Sequence, residues 1–167
     1  MDPNAKKTAL RMVPYGIYVL TAKAPDGTVA AATVNWVTQT AFTPPLVVAG
    51  IKTDSGAYAT TRKAGAFALN MLGKGQQTVA FTFFKPTVAS EGKLSGEPYR
   101  DGSTGAPVLL NAPACVECKV VEVIERGDHH IVLGEVVDAH LTKLPEGRPD
   151  AAILEMKDLG EKTFYGG

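Results

Sequence analysis

The sequence predicts a mainly β (α+β) fold: an antiparallel barrel with a few short helices, formed by residues 1–167 as a single domain. Three observations lead there. Short runs rich in β-branched and aromatic residues recur at 16–22, 29–37, 44–51 and 67–72, and again beyond 115. Several of the gaps between them are hairpin-length, such as Pro25-Asp26-Gly27. Helical patterns are few and short, unlike the regular strand–helix alternation of a doubly wound parallel sheet. No G-x-G-x-x-G follows a strand and no P-loop is present.

In chain order, residues 4–13 read as a helix with Asn4 as its cap and Pro14 as its stop. Ile17-Tyr18-Val19-Leu20-Thr21 is the first strand, Val29 to Val37 the second, and Leu46 to Ile51, after Pro44-Pro45, the third. A helix follows over 54–63, ended by Gly65. Phe67 to Leu72 reads as a buried strand, and 76–84 as a helix with Val79, Ala80, Phe83 and Phe84 on one side. Residues 85–107 read as a long polar loop. Strands over 115–125 and 130–140 flank the turn Arg126-Gly127-Asp128, and the tail from Leu144 is expected to pack on a neighbour.

Charge and composition narrow the function. The 17 basic residues balance 17 acidic ones, so nothing attracts nucleic acid or an anionic membrane surface, and self-association is easily tolerated. No apolar stretch reaches a membrane span, no signal peptide is read at the N-terminus, and two cysteines make no disulfide framework, so a cytoplasmic protein is expected.

Four segments could carry chemistry. In Thr33-Val34-Asn35-Trp36, strand alternation puts Thr33 and Asn35 on one face and Val34 and Trp36 on the other. Such a strand offers polar partners and a flat apolar wall to a planar ring, and equally suits an ordinary barrel strand. Ile51-Lys52-Thr53-Asp54-Ser55 stands where a strand meets a helix. Free N–H groups, Lys52 and the hydroxyls of Thr53 and Ser55 suit a phosphate there, although plain capping by Thr53 or Asp54 explains the same residues. His129 and His130 are adjacent on a strand and must face opposite ways. Cys115 and Cys118 are read as one core and one peripheral thiol, with no metal, and Asp138 and His140 as surface residues.

Taken in order, these segments resemble the flavin reductase-like family of FMN-binding split barrels. The resemblance runs from about Tyr15 to Val137. It rests on the Gly16–Thr21 strand, Thr33 to Thr38, Pro44-Pro45-Leu46-Val47, Ser55 before a helix, Gly65 to Leu72, Gly105 to Leu109, Gly127-Asp128-His129 and Gly134-Glu135-Val136. It implies a six-stranded antiparallel split β-barrel of Greek-key type, assembled as a homodimer. It further implies an FMN cofactor (or FAD) and NADH or NADPH as hydride donor. Thr33, Val34, Asn35 and Trp36 would line the flavin ring; Ile51, Lys52, Ser55, Phe84 and Lys85 would hold the ribityl and phosphate chain. His129 would stand beside the nicotinamide. The implied activity is NAD(P)H:flavin oxidoreduction serving free flavin, a monooxygenase partner or a ferric complex. A flavoredoxin-type electron carrier and a non-redox split-barrel binding protein are the alternatives.

Overall fold

A computed structural model describes residues 1–167. Helix α1 (Pro3–Arg11) is followed by β1 (Tyr18–Lys23), β2 (Val29–Val34), β3 (Val37–Ala41) and β4 (Leu46–Lys52). Then come α2 (Gly56–Ala64), β5 (Ala66–Met71) and α3 (Gln77–Thr82). Four short strands, β6 (Ala89–Ser90), β7 (Lys93–Leu94), β8 (Glu97–Asp101) and β9 (Pro107–Leu109), precede the long hairpin β10 (Ala114–Ile124) and β11 (His129–Leu141). A helical turn, α4 (Pro149–Ala152), and a 3-10 turn (Met156–Leu159) complete the chain.

The architecture is mainly β and antiparallel, as the sequence predicts. The main sheet has seven strands rather than six, in the order β2-β1-β5-β10-β11-β4-β3. The extra strand arises because the single strand expected over 29–37 breaks after Val34. Only Asn35 and Trp36 separate β2 from β3, yet these two strands form opposite edges of the sheet. Residues 85–107 are not a plain loop either: they supply most of a second, four-stranded sheet, β6-β7-β8-β9.

Burial explains the strand sequences. One core cluster draws Leu20, Val34, Ile51, Phe67, Cys118 and Val132 from six different strands, with Ala57 of α2, so the sheet curves around it. Val19, neighbouring Leu20 on β1, belongs to a second cluster with Ala80 and Phe83 near α3, Leu109, and Leu154. Both faces of β1 are therefore covered, which is why Val19-Leu20-Thr21-Ala22 does not alternate with polar residues. The small sheet is fastened through buried polar groups: Thr21 donates to the Pro107 carbonyl, and Asn70 donates to the Val19 carbonyl and accepts from the Leu109 amide. Gly134 is dictated by close approach, since a Cβ there would lie 2.7 Å from the Phe67 ring.

Local details depart from the sequence reading where tertiary contacts intervene. Asp2, not Asn4, caps α1 by accepting the Asn4 amide at 2.9 Å. Cys115 and Cys118 do lie on different faces, but both are buried because β9 covers the outer face of β5 and β10. Burial pushes both thiols up to about 12, with the nearby Glu117 charge adding to the effect, so neither is a nucleophile at neutral pH.

Candidate functional site

The break between β2 and β3 opens onto a cavity of about 340 Å³. Five elements converge on it. The end of β2 brings Thr33 and Val34, with Asn35 just beyond; the end of β4 brings Ile51 and Lys52, and Ser55 opens α2. Phe84 enters after α3, and His129 from the first position of β11. Thus eight of the ten residues singled out in the sequence share one cavity. Trp36 stands behind its wall, with its ring centroid 4.5 Å from that of His129. Lys85 lies elsewhere, in a shallow depression with Thr78, Thr82 and Ser95.

Each polar residue has a definable state. The Thr33 hydroxyl donates to the Ala80 carbonyl at 2.6 Å and the Thr33 amide to the Phe83 carbonyl, fixing α3 and Phe84 beside β2. Asn35, though buried, donates its amide to the Tyr165 carbonyl at 3.0 Å. Ser55, rather than Thr53 or Asp54, caps α2: it accepts from the Tyr58 amide and donates to the Lys52 carbonyl. Asp54 pairs with Lys52 at 3.1 Å on the exposed rim, which offsets part of the positive charge there. The first amides of α2 have no intrahelical acceptors, and the space above Gly56 is open. This end of the cavity therefore still offers donors to an anion.

His129 and His130 face opposite ways, as the period of a strand requires. His130 turns to α2, with Nδ1 2.6 Å from the Tyr58 hydroxyl, and that hydroxyl also accepts from Arg62. His129 turns to the cavity. Its Nδ1 lies 2.9 Å from Asp128 and its Nε2 2.7 Å from the Tyr165 hydroxyl. The hydrogen bond from His129 holds the Asp128 carboxyl below its usual range, while burial raises the Tyr165 phenol. An ionised Asp128 can only accept, so Nδ1 carries a proton; in the neutral imidazole Nε2 then accepts from the Tyr165 hydroxyl.

Tyr165 is the residue that sequence reasoning missed. Within the tail, Thr163, Phe164 and Tyr165 fold back onto this cavity. The available signal was an aromatic pair ahead of Gly166-Gly167 in an otherwise polar tail, but nothing local says where such a pair docks.

A second carboxylate–histidine pair occupies the far end of β11. Glu117 is fully buried on β10 and accepts from the Ser103 amide, from the amide and hydroxyl of Thr104, and from His140. Burial alone would raise its carboxyl, but these donors together pull it down to about 2. His140 is therefore no free surface residue: it bridges Glu117 and Arg100. Glu117, Asp138 and His140 are close enough to share a cation, yet Glu117 is already saturated with donors, which marks the group as a structural tie.

A seven-stranded antiparallel sheet with a cavity where its edge strands part defines a mainly β protein with one candidate ligand site at that break. The chain belongs to the flavin reductase like domain family, which matches residues 10–154. A probable flavin reductase of Rhizobium meliloti is 33% identical over 135 residues, covering 81% of this chain and 42% of that protein. The reductase component of a 4-nitrophenol 4-monooxygenase/4-nitrocatechol 2-monooxygenase from Rhodococcus opacus is 36% identical over 124 residues, covering 74% and 64%. The chain thus spans less than two thirds of either relative's length. Among solved structures, the NADH:FAD oxidoreductase of Streptomyces globisporus C-1027, in complex with NAD and FAD fragments, matches with a TM-score of 0.70. That match has 25% identity and covers 90% of this chain and 98% of the other.

Proposed function

We propose that this chain is a flavin oxidoreductase that takes a hydride from NADH or NADPH onto a flavin, FMN or FAD, and supplies reduced flavin to a monooxygenase or another acceptor. The observation that carries the reading is the cavity itself. Its lining brings Lys52, Ser55 at the start of α2, the apolar side chains of Ile51, Val34 and Phe84, Asn35, and His129 together, with His129 directly opposite Lys52 across β11 and β4. A phosphorylated chain carrying a flat, amide-rimmed ring is the ligand that fits this combination of cationic, apolar and amide surfaces. The relatives' names agree with it.

Within this reading, a bound flavin supplies the hydride-accepting chemistry. The protein's residues do the rest. Lys52 and the start of α2 hold the phosphate end; Val34 and Trp36 keep the ring region flat and dry; Asn35 presents an amide to the ring edge. His129, with its tautomer fixed by Asp128, presents Nε2 to the nicotinamide and positions it.

The fold reading extends in the same way. Counting β2 and β3 as one strand bent at Asn35–Trp36 gives a six-stranded split barrel of Greek-key type in a single domain. A cytoplasmic homodimer is consistent with the balanced charge and with the exposed apolar side chains Val121, Ile131, Val137 and Leu141 on the β10–β11 hairpin. No helix is long and apolar enough to cross a membrane. Equilibrium dialysis tests the central claim: FMN or FAD should bind at micromolar concentration, and absence of binding by both would end the flavoprotein reading.

A further inference from the structure

One side of the cavity is formed by Thr163, Phe164 and Tyr165, within the chain's own residues 160–167. We propose that this segment is a displaceable strap, and that Tyr165 is the group a ring-shaped ligand must displace to reach His129. The inference rests on the flavin–nicotinamide reading of the site for the ligand's identity, but not for the strap itself.

Three observations carry it. The first is what Tyr165 touches. Its hydroxyl takes Nε2 of His129, its carbonyl takes the Asn35 amide, and its ring lies 5.5 Å from Trp36 and 5.7 Å from His129 between centroids. With Nδ1 committed to Asp128, Nε2 is the only nitrogen His129 can offer, and Tyr165 occupies it. Reaching His129 and keeping Tyr165 in place are mutually exclusive.

The second is space. Pockets that hold cofactor-sized ligands run from about 300 to 1,000 Å³, so a cavity of about 340 Å³ has room for one ring system and none for a second stacked upon it. A cleft of about 520 Å³ adjoins it between α1 and the tail. Met156, Thr163 and Phe164 line both spaces and form the partition. Withdrawal of Thr163 and Phe164 would join them.

The third is how loosely the strap is held. Beyond Leu159 the chain has no helix or strand. Its remaining ties are Arg11, which donates to the Gly166 carbonyl at 3.3 Å and lies 4.1 Å over the Phe164 ring, and local bonds of Thr163. Phe164 and Tyr165 are both about half exposed. The closed position also leaves a polar group unsatisfied: the indole nitrogen of Trp36 is buried without an acceptor, 3.6 Å from where a Cβ on Gly166 would stand. A buried donor without a partner raises the free energy of the closed state and biases the strap to open.

The experiment compares the full chain with Tyr165→Phe, which keeps the ring and removes the hydroxyl, and Tyr165→Ala. Acylation of His129 by diethyl pyrocarbonate is followed by mass spectrometry, with His130 and His140 as internal references. FMN affinity is then measured on the same proteins by equilibrium dialysis. Acylation of His129 should quicken about threefold in Tyr165→Phe and about tenfold in Tyr165→Ala. FMN should bind up to about tenfold more tightly to Tyr165→Ala, since a site open a tenth of the time binds tenfold more weakly than one always open. Unchanged acylation of His129 in both variants overturns the strap. Faster acylation with weaker FMN binding also overturns it, because Tyr165 would then be a wall of the ligand site and not its competitor. If none of the proteins binds FMN, the flavoprotein reading fails and the acylation rates alone decide the strap.

Discussion

Each end of strand β11 carries a histidine paired with a carboxylate from outside the strand, and the two pairs differ in one respect that separates structure from chemistry. At the far end, Glu117 is fully buried and every oxygen has its donors, with His140 and Arg100 continuing the chain outward. At the near end, the Asp128 carboxylate is almost fully exposed and bonds only one ring nitrogen of His129; the other nitrogen, on the cavity side, is bonded to the Tyr165 hydroxyl. A buried, saturated pair can hold a loop but offers nothing to a ligand. An open pair contributes little to stability, and its second nitrogen is available once Tyr165 withdraws. The same two residue types therefore serve opposite ends, and burial decides which.

The largest effect expected is on the buried pair. Glu117→Gln keeps the shape but removes the charge that four donors surround, and should destabilise the fold by about 3 kcal/mol in urea titrations. Asp128→Asn should leave the urea midpoint where it is. The same contrast has a pH signature. The folded pKa of Glu117, about 2, lies below its unfolded value, about 4.3. Its stabilisation is therefore complete above about pH 4.3 and lost as the pH falls toward 2. Wild type should lose stability across that window, and Glu117→Gln should lose less; equal acid sensitivity of the two proteins would contradict the assignment.

Next in size is the effect on turnover. His129→Ala should slow flavin reduction by NADH or NADPH about tenfold to a hundredfold with little change in FMN affinity, since a positioning group is removed. His130→Ala, whose side chain serves α2 through Tyr58, should leave reduction nearly unaltered. Anaerobic stopped-flow at the flavin band reads both. Comparable losses in the two variants would mean that the cavity-facing histidine has no special part.

Smaller effects belong to the phosphate end. Lys52→Ala combined with Ser55→Ala should weaken FMN about tenfold more than riboflavin, which lacks the phosphate. Because Ser55 also caps α2, this variant should in addition lose about 1 kcal/mol of stability, whereas Lys52→Ala alone should not. Lys85→Ala, outside the cavity, should change either affinity less than twofold. Dialysis with the two ligands side by side measures the difference, and a Lys85 effect as large as that of Lys52 would relocate the phosphate.

Much of this molecule follows from local rules. Strand alternation alone places His129 and His130 on opposite faces. A helical stretch closed by Gly65 marks out α2, whose C-cap glycine adopts a φ of 64°. Runs such as Phe67 to Leu72 announce a strand covered on both sides. These are readable because their causes act within a few residues of backbone. Other features have no local cause. The chain breaks at Asn35–Trp36 because it must pass from one edge of the sheet to the other. Cys115 is buried because β9, a strand too short to stand out in the sequence, lies over it. Glu117 reads as an ordinary exposed position on a strand until the loop at Ser103–Thr104 folds across it. Tyr165 meets Asn35 across 130 positions of sequence and His129 across 36. The sequence by itself determined the alternation, the strand order along the chain and most of the cavity-facing side chains, because those depend on the period of a strand and the chemistry of short turns. Only the tertiary structure decided which carboxylate would be saturated and which histidine nitrogen would be covered, because burial and hydrogen-bond partnership are set by segments far apart in the chain that meet only when the sheet curves around its core.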